Sequence, residues 1–336
     1  MDKNNYTNEA PPNGIILFWY HASPYGRRVK WYLTLRKIAH AECIQPPMLP
    51  RPDLAALGVT YRRSPVMSIG RDIYYDTRLI IAKLEERFPS SDQHPGLSSR
   101  ETVGMAALLQ KWVVENMFRE AVKCIPQDFA LLKDPTFQKD RAGFFGPGWR
   151  VDASSYSEGL VNMRHFFGTA ESLFADGRQW VAGTKEVSLA DLEGIWVFDW
   201  FLNDLRPKPE YFGEDRYPKV HEWRSRFRQA LATAREQAPQ TVSLKGPDAV
   251  SLVTQAAFSD QDLVVDSTDP MRLQDGAMVE LFPTDGGGFT HQDRGRLVKL
   301  SPDEVALAVQ SAGGEEMHVH APRWQFRIRA IDGARL

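Results

Sequence analysis

The chain has 336 residues, with 41 Lys and Arg against 43 Asp and Glu, a net charge of −2 and 43% hydrophobic residues. Those values exclude a disordered or collagen-like chain and leave room for about two or three domains. Balanced charge gives no reason to expect nucleic acid or a membrane surface as a partner. Two cysteines, Cys43 and Cys124, are too few for a disulfide scaffold or a multi-cysteine zinc site, which fits a reducing, cytoplasmic compartment. The apolar run Ile15 to Tyr20 is far shorter than the ~20 residues of a spanning helix. The polar first thirteen residues lack the form of a signal peptide and read as a disordered tail.

Ile15 to Tyr20 reads as a buried strand, and Ser23-Pro24 as the N-cap and first position of a helix running to about Ile38. A second strand is predicted at Ala41 to Ile44. A hairpin follows, from Pro65 to Ile69 and from Ile73 to Tyr75, turning at Gly70-Arg71-Asp72. Asp76-Thr77 opens another helix that ends before Pro89. Residues 14–89 therefore read β-α-β-β-β-α, and 90–99 form a linker by composition. From 100 to 238 the period is helical, around 101–123, 156–175, 188–204 and 218–236. Ser188 to Asp191 has the form of a capping box. Residues 239–336 change character: after one helix near 247–258, period-two alternation and glycine-rich turns at Asp285 to Gly288 and Gly313-Gly314 predict about five strands.

This order resembles the cytosolic glutathione transferase superfamily, with a thioredoxin-like α/β N-terminal domain and an all-α domain behind it. The residues that carry the resemblance are Ser23 to Val29, Ser64-Pro65-Val66 and Asp76-Thr77 in the first domain. In the second they are Trp180 to Gly183, Ser188 to Asp191, and Tyr217 to Val220 with Trp223. The resemblance covers residues 14–236. With the small β-rich extension it is similar to ascomycete transferase-like proteins that carry an extra C-terminal domain.

The resemblance implies glutathione as the bound cofactor or co-substrate and a small apolar electrophile as its partner, in a chain able to form a homodimer. A free thiol titrates near ~8.5, so such an enzyme must stabilise the thiolate. Ser23 combines a hydroxyl donor with the positive end of a helix dipole, and its identity as Ser instead of Cys argues against thioltransferase chemistry. Tyr25 stands second to it, and Tyr20 is a further rival hydroxyl. The resemblance gives Ser64 and a cis Pro65 a main-chain contact with the cysteinyl unit, Ser64 replacing the usual aliphatic residue. It gives Asp76-Thr77 the γ-glutamyl end, where relatives carry Glu-Ser or Gln-Ser. The usual Asn-Pro-x-Gly loop is absent, leaving Arg62 and Arg63 as candidates for the glycyl end. The family also uses glutathione in isomerisation, elimination and ether cleavage, and a fungal chain with this extension suits secondary metabolism. A non-catalytic ligand-binding or regulatory protein on the same scaffold is the other reading.

Twelve basic residues against six acidic ones between Gly14 and Pro89, a local charge of +6, suit an anionic ligand. Ser188 and Asp191 read as folding determinants. Helical spacing favours core packing over a pocket wall for Met105, Trp112, Met117 and Phe118. His318 and His320 share one face of a predicted strand, with His291 the nearest third ligand type; the reading is a solvated or hydrogen-bonded strand face and no metal site. The extension shows no nucleophile or acid pair, so it is expected to be structural or gating. On that reading, deleting residues 240–336 leaves glutathione binding largely intact while changing substrate range, stability or assembly, and a buried Trp324, with Arg323 and Phe326, anchors the extension.

Overall fold

The computed structural model describes residues 9–146, 151–285 and 290–331. The first eight residues of the predicted tail and Gly286 to Gly288 of the predicted turn lie outside the described residues. Within the expected tail, Pro12–Gly14 forms a 3-10 turn. Strand β1 (Ile15–Trp19) is buried along its whole length, as a central strand covered on both faces must be. Helix α1 (Pro24–Leu35) follows, then β2 (Ala41–Ile44), α2 (Pro52–Ala56), β3 (Val66–Ile69), β4 (Asp72–Tyr75) and α3 (Thr77–Arg87). This is the expected thioredoxin-like unit. The helical region holds α4 (Val103–Trp112), α5 (Phe118–Lys123), α6 (Pro135–Phe145), α7 (Ala153–Leu173), α8 (Leu189–Trp200), α9 (Pro209–Phe212) and α10 (Pro218–Gln237). Periodicity misses α2 and α9 because they are short, and α6 because only Phe137 on it is buried.

The β-rich segment is present as β5 (Val242–Leu244), β6 (Met278–Pro283), β7 (Asp293–Leu300), β8 (Glu304–Gln310), β9 (Glu316–Pro322) and β10 (Phe326–Ala330), with α11 (Gly246–Gln255) after β5. All ten strands join one sheet in the order β10-β6-β7-β8-β9-β4-β3-β1-β2-β5. β9 runs parallel to β4, and β5 runs parallel to β2 at the other end. Alternate residues of β1 face two cores. Ile15 and Leu17 pack with the helices, whereas Ile16 and Phe18 share a cluster with Ile73, Tyr75, Leu307 and Val319. Gly70, at φ +59°, lets the β3–β4 turn approach this segment, because a Cβ there would lie 2.2 Å from the Ala257 carbonyl oxygen. Removal of residues 240–336 would strip two strand edges and half of one core. Contrary to expectation, Trp324 is not buried. It is 54% exposed, and reaches the helices by donating from Nε1 to Glu115 (2.8 Å) and stacking under Lys111.

The two histidines on β9 are buried, not solvated, and lie at the β4–β9 seam. The carboxylate beside them belongs to Asp72 on β4, while His291 contacts Thr290. His320 Nε2 lies 3.0 Å from Asp72 Oδ1, and its Nδ1 lies 2.7 Å from Glu304 Oε1. With a carboxylate at each nitrogen, the ring donates twice and carries a proton. His318 Nδ1 lies 3.2 Å from the same Asp72 oxygen, while Asp72 Oδ2 accepts from the backbone N–H groups of Ser259 and Asp260. Lys83 and Lys299 pair with the other Glu304 oxygen, and Lys299 also with Asp260. Three carboxylates thus meet two ammonium groups and one imidazolium, so the buried charges cancel. Tyr74 stacks on His320, and Phe258 on His318.

Burial opposes the charged ring of His320, but Asp72 and Glu304 outweigh it and raise its pKa. Burial also opposes the Glu304 carboxylate, yet His320 and Lys83 hold it at about 2. The imidazolium therefore stabilises the fold fully below its unfolded value, near ~6.5, and this contribution disappears as pH rises through the raised folded value. The Glu304 contribution is present above its unfolded value and disappears as pH falls towards about 2. His320→Gln is expected to lower stability by ~3–5 kcal/mol at neutral pH, as for a broken buried ion pair. The gap to the wild type should narrow as pH is raised. Urea unfolding of both proteins across pH checks this, and equal stabilities would refute the network.

Candidate functional site

A cleft of about 400 Å³ lies where the thioredoxin-like unit, the helices and the β-rich segment meet. Every residue expected from the sequence to bind or activate glutathione lines it: Ser23, Tyr25, Arg63, Ser64, Pro65, Asp76 and Thr77, with the rival Tyr20 and Arg62. Ser23 caps α1, its Oγ accepting the Gly26 N–H at 3.0 Å. Gly26 permits this because a Cβ there would lie 2.6 Å from the Trp19 ring. The cap uses a lone pair and leaves the hydroxyl proton free to donate. Tyr25 packs between Phe118 and Trp196. Burial, and then the nearby Asp76 charge, raise its pKa, so it stays a neutral phenol. Burial pushes both thiols, Cys43 and Cys124, up to about 12, and neither lines the cleft.

The Ser64–Pro65 peptide bond is cis, and the Ser64 hydroxyl has no hydrogen-bond partner among the described residues. Asp76 sits at φ +65° as the N-cap of α3 and accepts the Arg78 N–H. Its two oxygens also take Arg78 Nε and Nη2, each at 2.8 Å. Burial opposes this carboxylate, but the Arg78 charge and hydrogen bonds prevail and hold its pKa below the usual range. Thr77 Oγ1 accepts from Arg28 Nη1 (2.5 Å), and Arg28 forms a fully buried ion pair with Glu193 on α8. Arg28 thus ties the starts of α1 and α3 to the helical region.

Arg62 and Arg63 are already engaged. Arg62 pairs with Asp140 on α6 at 3.0 Å, and Arg63 with Asp285 at 2.9 Å. Both guanidinium groups lie over the Phe144 ring. Sequence reasoning missed Arg51, which precedes α2 and matches no motif. It is 6% exposed and donates to the carbonyls of Pro46, Arg62 and Arg63. Among the described residues it has no carboxylate partner within ion-pair distance. Burial lowers its pKa. Asp285 and Gln325 were missed as well, because the glycine-rich turn and the strand end read only as punctuation. Of the four aromatic and Met residues on the first long helical segment, Phe118 reaches the cleft beside Val114 and Val122, while Met105, Trp112 and Met117 pack into the core. Ser188 and Asp191 form the expected capping box, and Asp191 Oδ1 also accepts from Val181 N and Trp223 Nε1.

Residues 17–92 match the family described as glutathione S-transferase, N-terminal domain, and residues 120–236 match a domain of unknown function, DUF7962. No curated protein matches the chain. A GST-like protein from Pseudomonas syringae is similar in fold, with 23% identity, a TM-score of 0.73, and coverage of 95% of this chain and 100% of its own. The beta-etherase LigF from Sphingobium sp. strain SYK-6 is 13% identical, with a TM-score of 0.52, and covers 67% of this chain and 100% of its own. Among the described residues, no helix is long and apolar enough to cross a membrane.

Arg28→Met would leave Glu193 buried without its ion-pair partner, and is expected to cost about 3–5 kcal/mol in chemical denaturation. Arg28→Met combined with Glu193→Leu should recover most of that loss, because both charges are then gone. A double variant no more stable than the single one would count against the pair as the element joining the two regions.

Proposed function

Because the chain carries an N-terminal domain of the glutathione S-transferase superfamily, we propose that the cleft binds glutathione and turns its thiol into a nucleophile. The single observation that carries this is Ser23, which caps α1 with a lone pair and keeps a proton to donate at the positive end of that helix. A sulfur seated there gains a hydrogen bond and the helix field, and both favour the thiolate. Tyr25 is a second neutral donor lining the same space. Asp76 and Thr77 take the γ-glutamyl end. Arg51, a buried cation with no ion-pair partner among the described residues, suits the glycyl carboxylate better than Arg62 or Arg63, which pair with Asp140 and Asp285.

The thiolate then attacks an electrophilic carbon of a partner held against Val114, Phe118, Val122 and Phe144. Arg119 at the same wall favours a partner with an anionic group. In a transfer the sulfur–carbon bond persists in the product. In an isomerisation the sulfur–carbon bond formed by addition breaks again and returns glutathione, whereas in an ether cleavage that bond replaces the carbon–oxygen bond and the oxygen leaves as an alkoxide. Mass spectrometry of products formed with and without glutathione separates these outcomes.

Ser23→Ala is expected to raise the pKa of bound glutathione and to cut turnover of a generic electrophile at neutral pH by about 10²-fold or more, with little change in affinity. The ultraviolet absorbance of the thiolate, followed against pH, reads the first effect directly. A variant that titrates and turns over like the wild type would transfer the role to Tyr25 or Tyr20. Asp76→Asn should weaken glutathione binding by ~1.5–3 kcal/mol, the range for a hydrogen bond to a charged group. Unchanged affinity in calorimetry would place the ligand elsewhere.

A further inference from the structure

Among the described residues, the β-rich segment contributes two to the cleft, and they come from separate stretches of it. Asp285 follows β6, and Gln325 lies between β9 and β10. The antiparallel β6–β10 ladder sets the two stretches side by side, and Thr284 N donates to Gln325 O at 2.8 Å at its end. Gln325 sits at φ +63°, in the left-handed region, where a residue without glycine's freedom is held by its surroundings. Its Oε1 accepts from Arg78 Nη1 at 3.1 Å. Asp285 accepts from Arg63 Nη1 at Oδ2 (3.0 Å), and its backbone carbonyl takes Arg63 Nη2.

Two carboxylates and two guanidinium groups therefore face one end of the cleft: Asp76 with Arg78, and Asp285 with Arg63. Their charges balance, so this end offers no net field to a simple anion. It fits a zwitterion, whose ammonium and carboxylate need one acceptor and one donor site side by side. The acceptor valences are unevenly spent. Both Asp76 oxygens take Arg78 donors. Asp285 Oδ1 is buried and lies 2.9 Å from Arg63 Nη1, which donates to Oδ2 instead, so Oδ1 accepts no hydrogen bond among the described residues.

We propose that Asp285, from the β-rich segment, accepts the α-ammonium of the γ-glutamyl unit at Oδ1, so that an α-amino-acid zwitterion is read by the Asp76–Arg78 and Asp285–Arg63 pairs together. Arg63 and Arg78 take the neighbouring α-carboxylate, and Gln325 fixes the Arg78 fork. The segment is then part of the ligand site. The assignment rests on the glutathione reading above and deepens it.

The test is calorimetric, on the full chain, with glutathione and with its analogue lacking the α-amino group, glutaryl-cysteinylglycine. The wild type should bind the analogue about tenfold or more weaker than glutathione, the loss expected for one hydrogen bond to a charged group. Asp285→Asn should bind glutathione as weakly as the analogue, with analogue affinity unchanged. Asp285→Glu should keep part of the preference, and thermal unfolding of each variant reports that it is folded. Full discrimination by a folded Asp285→Asn, while the wild type binds glutathione, would overturn the role of Asp285 and leave the glutathione reading intact. Wild-type protein that binds neither compound would overturn both.

Discussion

The parallel pairing of β9 with β4 is the constraint on which the rest of the structure depends. Parallel neighbours end on the same side of a sheet, so the residues that leave them emerge together. Asp76 follows β4 directly, and Gln325 follows β9 after a short turn. Their meeting through Arg78 is thus a consequence of strand direction and register. The register itself is pinned by Asp72 against His318 and Tyr74 against His320. A slip of one residue would turn both histidines to the opposite face of the sheet and leave Asp72 and Glu304 buried without them. The charged cluster at one end of the strands thereby sets the geometry of the cleft at the other.

The cleft is cationic by composition, and among the described residues three of its arginines are paired with carboxylates that also line it. Arg62, Arg63 and Arg78 meet Asp140, Asp285 and Asp76, and these carboxylates come from α6, the β-rich segment and the α3 cap. Such pairs, half-sheltered from water, position their partners more than they stabilise the fold. They also separate two roles that local charge alone confuses. The paired arginines offer oriented donors, whereas Arg51 has no ion-pair partner among the described residues.

Much of this was legible in the sequence. The apolar run of β1, the Ser23-Pro24 start, the β3–β4 hairpin and the capping box at Ser188 are local patterns, and local patterns survive folding because their partners lie within a few residues. The candidate residues converge on one cleft because each sits at a strand end or helix start of the first unit. Asp285, Gln325 and Arg51 escaped because their meaning comes from partners far away in the chain. Asp285 is 222 residues from Arg63, and Gln325 is 247 from Arg78. His318 and His320 were seen as a pair on one face, but the third group, Asp72, lies 246 residues from His318. Period-two alternation announces strands; it does not say which edge they will join.

That last gap explains why the β-rich segment read as an accessory. A chain segment with its own strands, turns and apolar alternation resembles a domain, and nothing in its spacing reveals a shared core. Yet Ile73 and Tyr75 of β4 have their apolar neighbours on β8 and β9, and Tyr61 stacks on Tyr75 close to Phe326 of β10. An open β4 edge would present unpaired backbone groups and a bare apolar face to solvent, the usual liability of an edge strand. The segment removes that liability and, in the same step, brings Asp285 and Gln325 to the cleft. Edge protection and site completion are therefore one structural event, and selection on either would preserve the other.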